Sequence, residues 1–193
     1  MPRFEHQGRR IAYDVHGKGE RTLVLIHGLL MNRHMYDRLG PAMAAQGHRV
    51  VTVDLLGHGD SDHPPEMVNY GMPFFAQEVV GLLDHLEIEE AVIGGTSLGA
   101  NTTLTIARDF PERVRGMMVE MPVLDHALLG VSVIFTPILL GLRFAGPILT
   151  RTSALARRIP RTNYVVDLWL DMARQDPAAS AAVLAGLFLG AGS

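Results

Sequence analysis

Ser97 stands in the stretch Gly94-Gly95-Thr96-Ser97-Leu98-Gly99-Ala100, between the apolar run Ala91-Val92-Ile93 and a segment, Asn101 to Ala107, that patterns as a helix. A serine with glycine two positions to either side is an acyl-transfer pattern when it falls on a strand–turn–helix bend. The bend brings the strand and helix backbones nearly into contact, so the positions two before and two after the serine must be small. Gly95 and Gly99 meet that demand. The following helix aims its first N–H groups and positive dipole end at any charge that develops beside the hydroxyl. The competing reading is a helix N-cap, in which Ser97 satisfies orphan N–H groups and does no chemistry. That reading leaves the flanking glycines unexplained.

Two further stretches stand at a suggestive order and distance. Val24-Leu25-Ile26-His27-Gly28-Leu29-Leu30 is an apolar strand running into a His-Gly turn. Val50-Val51-Thr52-Val53-Asp54 runs into Leu55-Leu56-Gly57-His58-Gly59-Asp60-Ser61-Asp62, a strand followed by a Gly-His-Gly-x-Ser loop. Together with the Ser97 bend, they resemble the α/β-hydrolase family over roughly the whole of residues 3–120. The resemblance implies an α/β fold with a mostly parallel sheet and a helical cap segment. It implies Ser97 as nucleophile, with the backbone N–H groups of Leu29 and Leu98 as the oxyanion hole. It makes His27 a structural holder of its own turn. Asp54 is read as a residue that ties down loop N–H groups.

The elements needed to position these residues are visible in the pattern. Arg3–His6 and Arg9–His16 read as a hairpin turning at Gln7-Gly8, with Ile11, Tyr13 and Val15 on one buried face. The unbroken apolar run Thr22–Ile26 suits a central parallel strand covered on both faces. Residues 33–46 read as one helix carrying Met35, Leu39 and Met43, with Tyr36 open as a fourth apolar position, and Arg49–Val53 as a strand. Residues 72–86 read as a helix with the stripe Phe75, Val79, Leu82, Leu83 and Leu86. Residues 114–121 read as a sixth strand. Strand–helix alternation of this kind implies right-handed crossovers.

The chain divides into a core, residues 1–121, and a helical cap or lid, residues 122–193. Leu128 to Leu142 holds no charged residue; its length is borderline for a membrane span of about 20 apolar residues, and Pro137, Arg143 and Pro147 argue against one. Cap helices are expected over 153–161, 164–175 and 177–189, and Trp169, Leu168 and Met172 line a substrate cavity or pack the cap. The family's acid and histidine follow later strands, and no further strand–helix pair appears after Met121. The reading is therefore of a chain that stops within or just after the cap. Only His126 follows Ser97, directly after Asp125. Asp125 is a candidate acid, though an Asp in this setting more often serves as a helix N-cap. Adjacent residues cannot easily place the acid behind an imidazole that also faces Ser97.

Composition bounds the function classes. The 193 residues carry 17 basic and 20 acidic side chains, a formal charge of −3, which gives no nucleic-acid footprint. Without cysteine the chain fits a reducing cytoplasm, and disulfide and thiolate chemistry are excluded. The spacing of His58 and His63 suggests no metal site, and the chemistry calls for no cofactor. The expected activity is serine hydrolysis of a carboxylic ester or related small acyl substrate, with the triad incomplete in this chain. The alternative is a non-catalytic or partner-complemented ligand-binding module. An exposed sheet edge at the sixth strand would favour self-association.

Overall fold

The computed structural model describes residues 1–64, 70–123 and 163–189, with 137, 141, 151, 155–156 and 158–160. Among the described residues, six strands form one sheet: β1 (Arg3–His6), β2 (Arg9–His16), β3 (Thr22–Ile26), β4 (Arg49–Val53), β5 (Ala91–Thr96) and β6 (Val114–Glu120). Their spatial order is β1-β2-β4-β3-β5-β6. The β1–β2 and β2–β4 pairs are antiparallel, and β3–β4, β3–β5 and β5–β6 are parallel. The hairpin turns where expected. Gln7 and Gly8 both take positive φ (48° and 75°), the conformation that lets a two-residue turn match the strand twist.

The helices are α1 (Leu39–Ala44), α2 (Met72–His85), α3 (Leu98–Asp109), α4 (Tyr164–Arg174) and α5 (Pro177–Leu189). Alternation along the strands sorts their side chains onto two faces. Val24, Ile26, Val51, Val53 and Ile93 join one cluster with Phe75, Val79, Leu82, Leu83 and Ile106 from α2 and α3. Leu23, Leu25 and Val50 join Tyr36, Met35 and Met43 on the opposite face. The sheet is therefore wound on both sides, and β3 is buried along its whole length.

Three readings are corrected. Residues 33–46 are not one helix: a 3₁₀ turn over Arg33–Tyr36 is separated from α1. Pro41 has no N–H to bond Asp37, so it sits in the first turn of α1, where that N–H has no partner to lose, and the helix does not continue back into the 3₁₀ turn. Leu39 is exposed rather than on the apolar face. In β2 the buried set is Ile11, Ala12 and Tyr13, while Val15 is exposed. Both faces of this strand are covered at its middle, and at its end the Asp14 and His16 side stays half-buried while the Val15 side is exposed.

Beyond β6, α4 and α5 fall close to the expected bounds and return to the core. The Tyr164 hydroxyl donates to the Met35 carbonyl at 2.7 Å and the Gln175 amide to the Met31 carbonyl at 3.2 Å. Ala182 and Val183 of α5 enter the larger cluster. The expected helix over 153–161 and most of the apolar stretch 128–142 lie outside the described residues. No helix among the described residues is long and apolar enough to cross a membrane.

Candidate active site

The two-sided winding fixes where a ligand crevice can open. β3 and β5 are neighbours, but β3 leads to α1 on one face and β5 leads to α3 on the other. Connections that part to opposite faces leave a gap beyond the strand ends. The His27-Gly28-Leu29 loop leaves β3 there, and Ser97 leaves β5.

Ser97 has φ 54° and ψ −108°, a conformation that L-residues rarely adopt. Strain of this kind costs about 1–3 kcal/mol and persists only where the surroundings impose it. Here the surroundings are backbone. The Ser97 N–H donates to the Glu120 carbonyl at 2.9 Å, and its carbonyl accepts from Asn101 N–H at 3.0 Å. A Cβ on Gly95 would stand 2.6 Å from the Ile26 carbonyl oxygen, and one on Gly99 would stand 2.7 Å from the Ile26 carbonyl carbon. Both glycines are thus required by close approach of strand and helix.

The N-cap alternative does not hold, because the Ser97 side chain makes no capping hydrogen bond to α3. The hydroxyl is left for something else. Gly28 lies beside the bend: a Cβ there would be 3.8 Å from Ser97 Cβ and 3.4 Å from the Thr96 carbonyl oxygen. Leu29 and Leu30 form the turn that follows, closed by Met31 N–H to the Gly28 carbonyl at 3.1 Å. Leu98 is the first residue of α3, where an N–H has no partner within its own helix. The loop carrying Leu29 and the helix start carrying Leu98 therefore meet at Ser97.

His27 is fully buried and held at both ring nitrogens. Nδ1 lies 2.8 Å from the Gly28 carbonyl, so it carries the proton, and Nε2 accepts the Leu55 N–H at 3.1 Å. Burial holds its pKa below the ordinary histidine value. The ring is an anchor between the β3 and β4 loops and has no lone pair left for Ser97. His58 packs 4.8 Å from it, centre to centre, with Nδ1 on the Leu56 carbonyl. Burial, then the neighbouring His27, pushes the His58 pKa well below the ordinary value.

Asp54 has the tying role expected of it, and more. It is fully buried and accepts the Arg33 N–H at 2.6 Å and the Asp60 N–H at 2.9 Å. It also pairs directly with the Arg33 guanidinium, which reaches Asp14 at 2.7 Å and Asp60 at 2.8 Å. Burial opposes the Arg33 charge, but Asp54, Asp60 and Asp14 outweigh it and raise the pKa above the ordinary arginine value. Arg33 looked like an ordinary helix-start residue, and no period in the sequence links it to positions 14, 54 and 60.

Two acidic residues were also missed. Glu78 is fully buried, and its carboxylate accepts the Leu56 N–H at 3.1 Å. Burial pushes its pKa well above the ordinary carboxylate range, partly offset by that bond, with Asp54 pushing the same way as burial. The signal existed, since Glu78 sits three residues after Phe75 and four before Leu82, on the apolar stripe. Glu120 ends β6, and its carboxylate accepts the Thr96 hydroxyl at 2.7 Å, one residue from Ser97. Asp125 and His126 lie outside the described residues. Among the described residues, no histidine is hydrogen-bonded to the Ser97 hydroxyl.

Comparison with known proteins matches this frame. Residues 21–141 match the family model described as the alpha/beta hydrolase fold. The chain is 36% identical over 110 residues to bifunctional epoxide hydrolase 2 of Mus musculus, covering 57% of this chain and 20% of that protein. It is 35% identical over 105 residues to an sn-1-specific diacylglycerol lipase of Mus musculus, covering 52% and 33%. The structure superposes on the enol-lactonase of Burkholderia xenovorans with a TM-score of 0.77 at 20% identity, covering 97% of this chain and 73% of that one. The matched stretch thus spans a third or less of these curated relatives.

Proposed function

Because the chain belongs to the alpha/beta hydrolase fold family, we propose that it is a serine hydrolase acting on a carboxylic ester or related small acyl substrate. The observation that carries the reading is an uncapped hydroxyl on a strained bend, with the His27-Gly28-Leu29 loop packed beside it. Ser97 attacks the carbonyl carbon. The N–H groups of Leu29 and Leu98 hold the negative oxygen of the tetrahedral intermediate, which collapses to an acyl ester on Ser97 as the C–O bond breaks and the alcohol leaves with the serine's proton; water then cleaves that ester, releasing the acid and restoring the hydroxyl. Gly95 and Gly99 keep the bend closed. The relatives' names span epoxide hydrolysis, lipid hydrolysis and lactone hydrolysis. A hydroxyl rather than a carboxylate at the bend favours acyl chemistry over epoxide opening.

Ser97 needs a base, and the described residues do not place one beside it. The reading therefore assigns the imidazole to a segment or subunit outside the described residues. Asp125 remains a candidate for the acid that orients it. Glu120, joined through Thr96 to the residue before Ser97, is a second candidate. Residues 122–193 are assigned to a cap over the crevice, which supplies the apolar wall for the substrate. The site works without a cofactor, in a cytoplasmic protein.

One observation favours the second reading, a binding module or a partner-complemented half: no imidazole is bonded to Ser97 among the described residues. Among the described residues, β6 is also the last strand of the sheet, with Met117, Met118, Val119 and Met121 exposed. Such an edge is a template for pairing, and we assign to it self-association of the chain. Hydrolysis of p-nitrophenyl acetate separates the readings. The protein from its native source should lose turnover on Ser97→Ala, while residues 1–193 alone should not exceed their own Ser97→Ala variant. Native protein that is indifferent to Ser97→Ala would replace the hydrolase reading with the binding one. Gel filtration of the same samples reads the association state.

A further inference from the structure

Helix α4 carries its polar side inward and its apolar side outward. Its exposed positions among the described residues are Val165, Val166, Met172 and Ala173, the first three 59%, 51% and 40% exposed. Its acids, Asp167 and Asp171, are buried, and Arg174 is half-buried. At about 100° per residue the four exposed positions fall within an arc of roughly 120°, with the three charged ones on the opposite side. Single exposed aliphatic residues are ordinary, but a helix that withdraws its acids and shows only apolar side chains marks an interaction surface.

Docking fixes this rotation. On the polar side, the Tyr164 hydroxyl and the Gln175 amide hold opposite ends of the helix to the Met35 and Met31 carbonyls. The Asn163 side chain accepts the Val165 and Val166 N–H groups at 3.0 and 3.4 Å, and Asp167 accepts the Asn163 N–H at 3.0 Å. Asp171 pairs with Arg174 at 2.8 Å. Arg174 also donates to the Ala156 and Ile159 carbonyls, at 3.2 and 2.9 Å, which keeps that segment alongside α4. Leu155 and Ile159 in it are exposed as well.

Charge says what the surface fits. From residue 126 onward the sequence carries six arginines and three aspartates, whereas residues 1–125 carry 11 basic and 17 acidic side chains. A charge asymmetry of this kind points to an anionic partner. Two of the three aspartates are the buried pair in α4, while Arg151 and Arg158 are exposed. Aliphatic side chains and arginines offered together complement an anionic bilayer: the first enter the acyl boundary, the second meet the phosphates. A nucleic acid would engage the arginines and leave the apolar arc in water. A second copy, docked through the same face, would set arginines against arginines.

We propose that the outward face of α4, with the 155–159 segment beside it, docks the protein on an anionic membrane surface without spanning it. The contact is independent of the chemistry at Ser97.

Vesicle flotation at physiological ionic strength tests this, with equal parts phosphatidylglycerol and phosphatidylcholine against phosphatidylcholine alone. Saturable binding to the anionic vesicles is expected, at least tenfold tighter than to the neutral ones. It should weaken at least tenfold in the double variant Val165→Gln, Val166→Gln. Gln is a better helix former than Val, so the variant should keep the helix content of the parent by circular dichroism. Arg158→Gln should weaken binding about fivefold, the share of one arginine at such a surface. If the double variant does not fold, Arg158→Gln and added salt decide, and binding indifferent to both overturns the proposal. Absence of saturable binding, equal binding to neutral vesicles, or unchanged affinity in the folded double variant would also overturn it. So would a dimer in gel filtration that the double variant dissolves, because a second copy would then cover the face.

Discussion

Asp54 and Ser97 lie at the same end of the same sheet, one just beyond β4 and the other just beyond β5, yet their polar atoms are treated in opposite ways. The Asp54 carboxylate accepts from two backbone N–H groups and a guanidinium, and its own carbonyl accepts the Ser61 hydroxyl at 2.6 Å. The Ser97 hydroxyl has no capping bond, and its backbone is strained. A polar group that is buried and saturated is holding the fold. A strained residue with an uncapped hydroxyl is what the proposed nucleophile requires.

The comparison breaks most visibly at Asp54. Asp54→Ala leaves the buried Arg33 guanidinium without its main partner and strands two N–H groups. Removing one member of a buried pair costs about 3–5 kcal/mol. A urea midpoint that moves by less than the equivalent of about 1 kcal/mol would show that the network carries less than its geometry suggests.

Ser97→Gly sharpens the contrast from the other side. Glycine adopts φ 54° freely, so the variant should be more stable by about 1 kcal/mol while losing the proposed nucleophile. Stability gained with activity lost is the mark of a strained functional position. A destabilised Ser97→Gly variant would mean that the hydroxyl supports the fold after all.

Glu78 gives the smallest effect and an intermediate case: buried, but hydrogen-bonded to one N–H rather than to a cation. Its pKa is raised in the folded protein, so the folded state binds more protons above the ordinary carboxylate value. Stability from this group is lost as pH rises through the folded value. His27 and His58 act oppositely: their pKa values are lowered, so stability is lost as pH falls below about 6.5. Glu78→Gln keeps an acceptor for Leu56 N–H and removes only the first effect. Its advantage over the parent protein should grow by about 1 kcal/mol between pH 5 and pH 8, read from urea midpoints. A pH-independent difference would contradict the burial argument.

The bend at Ser97 was readable because its constraint is local: two glycines, an apolar strand before and a helix after. The strand spans from β1 to β4 were readable for the same reason. The Arg33–Asp54–Asp14–Asp60 network was not, because it joins four loop and strand ends with no shared period. The helix over 33–46 was overextended because apolar spacing was weighed and Pro41 was not. Glu78 was passed over as a polar residue in a helix although it stands on the apolar stripe. Tertiary burial decides such cases, and hydrophobic pattern alone does not record it.

The central claim is that residue 97 presents a free hydroxyl to an electrophile. Incubation of the native-source protein with a fluorophosphonate, followed by intact-mass and peptide analysis, tests it directly. The account predicts one adduct per chain, on Ser97, abolished by Ser97→Ala. No adduct, or an adduct that persists in Ser97→Ala, would contradict it.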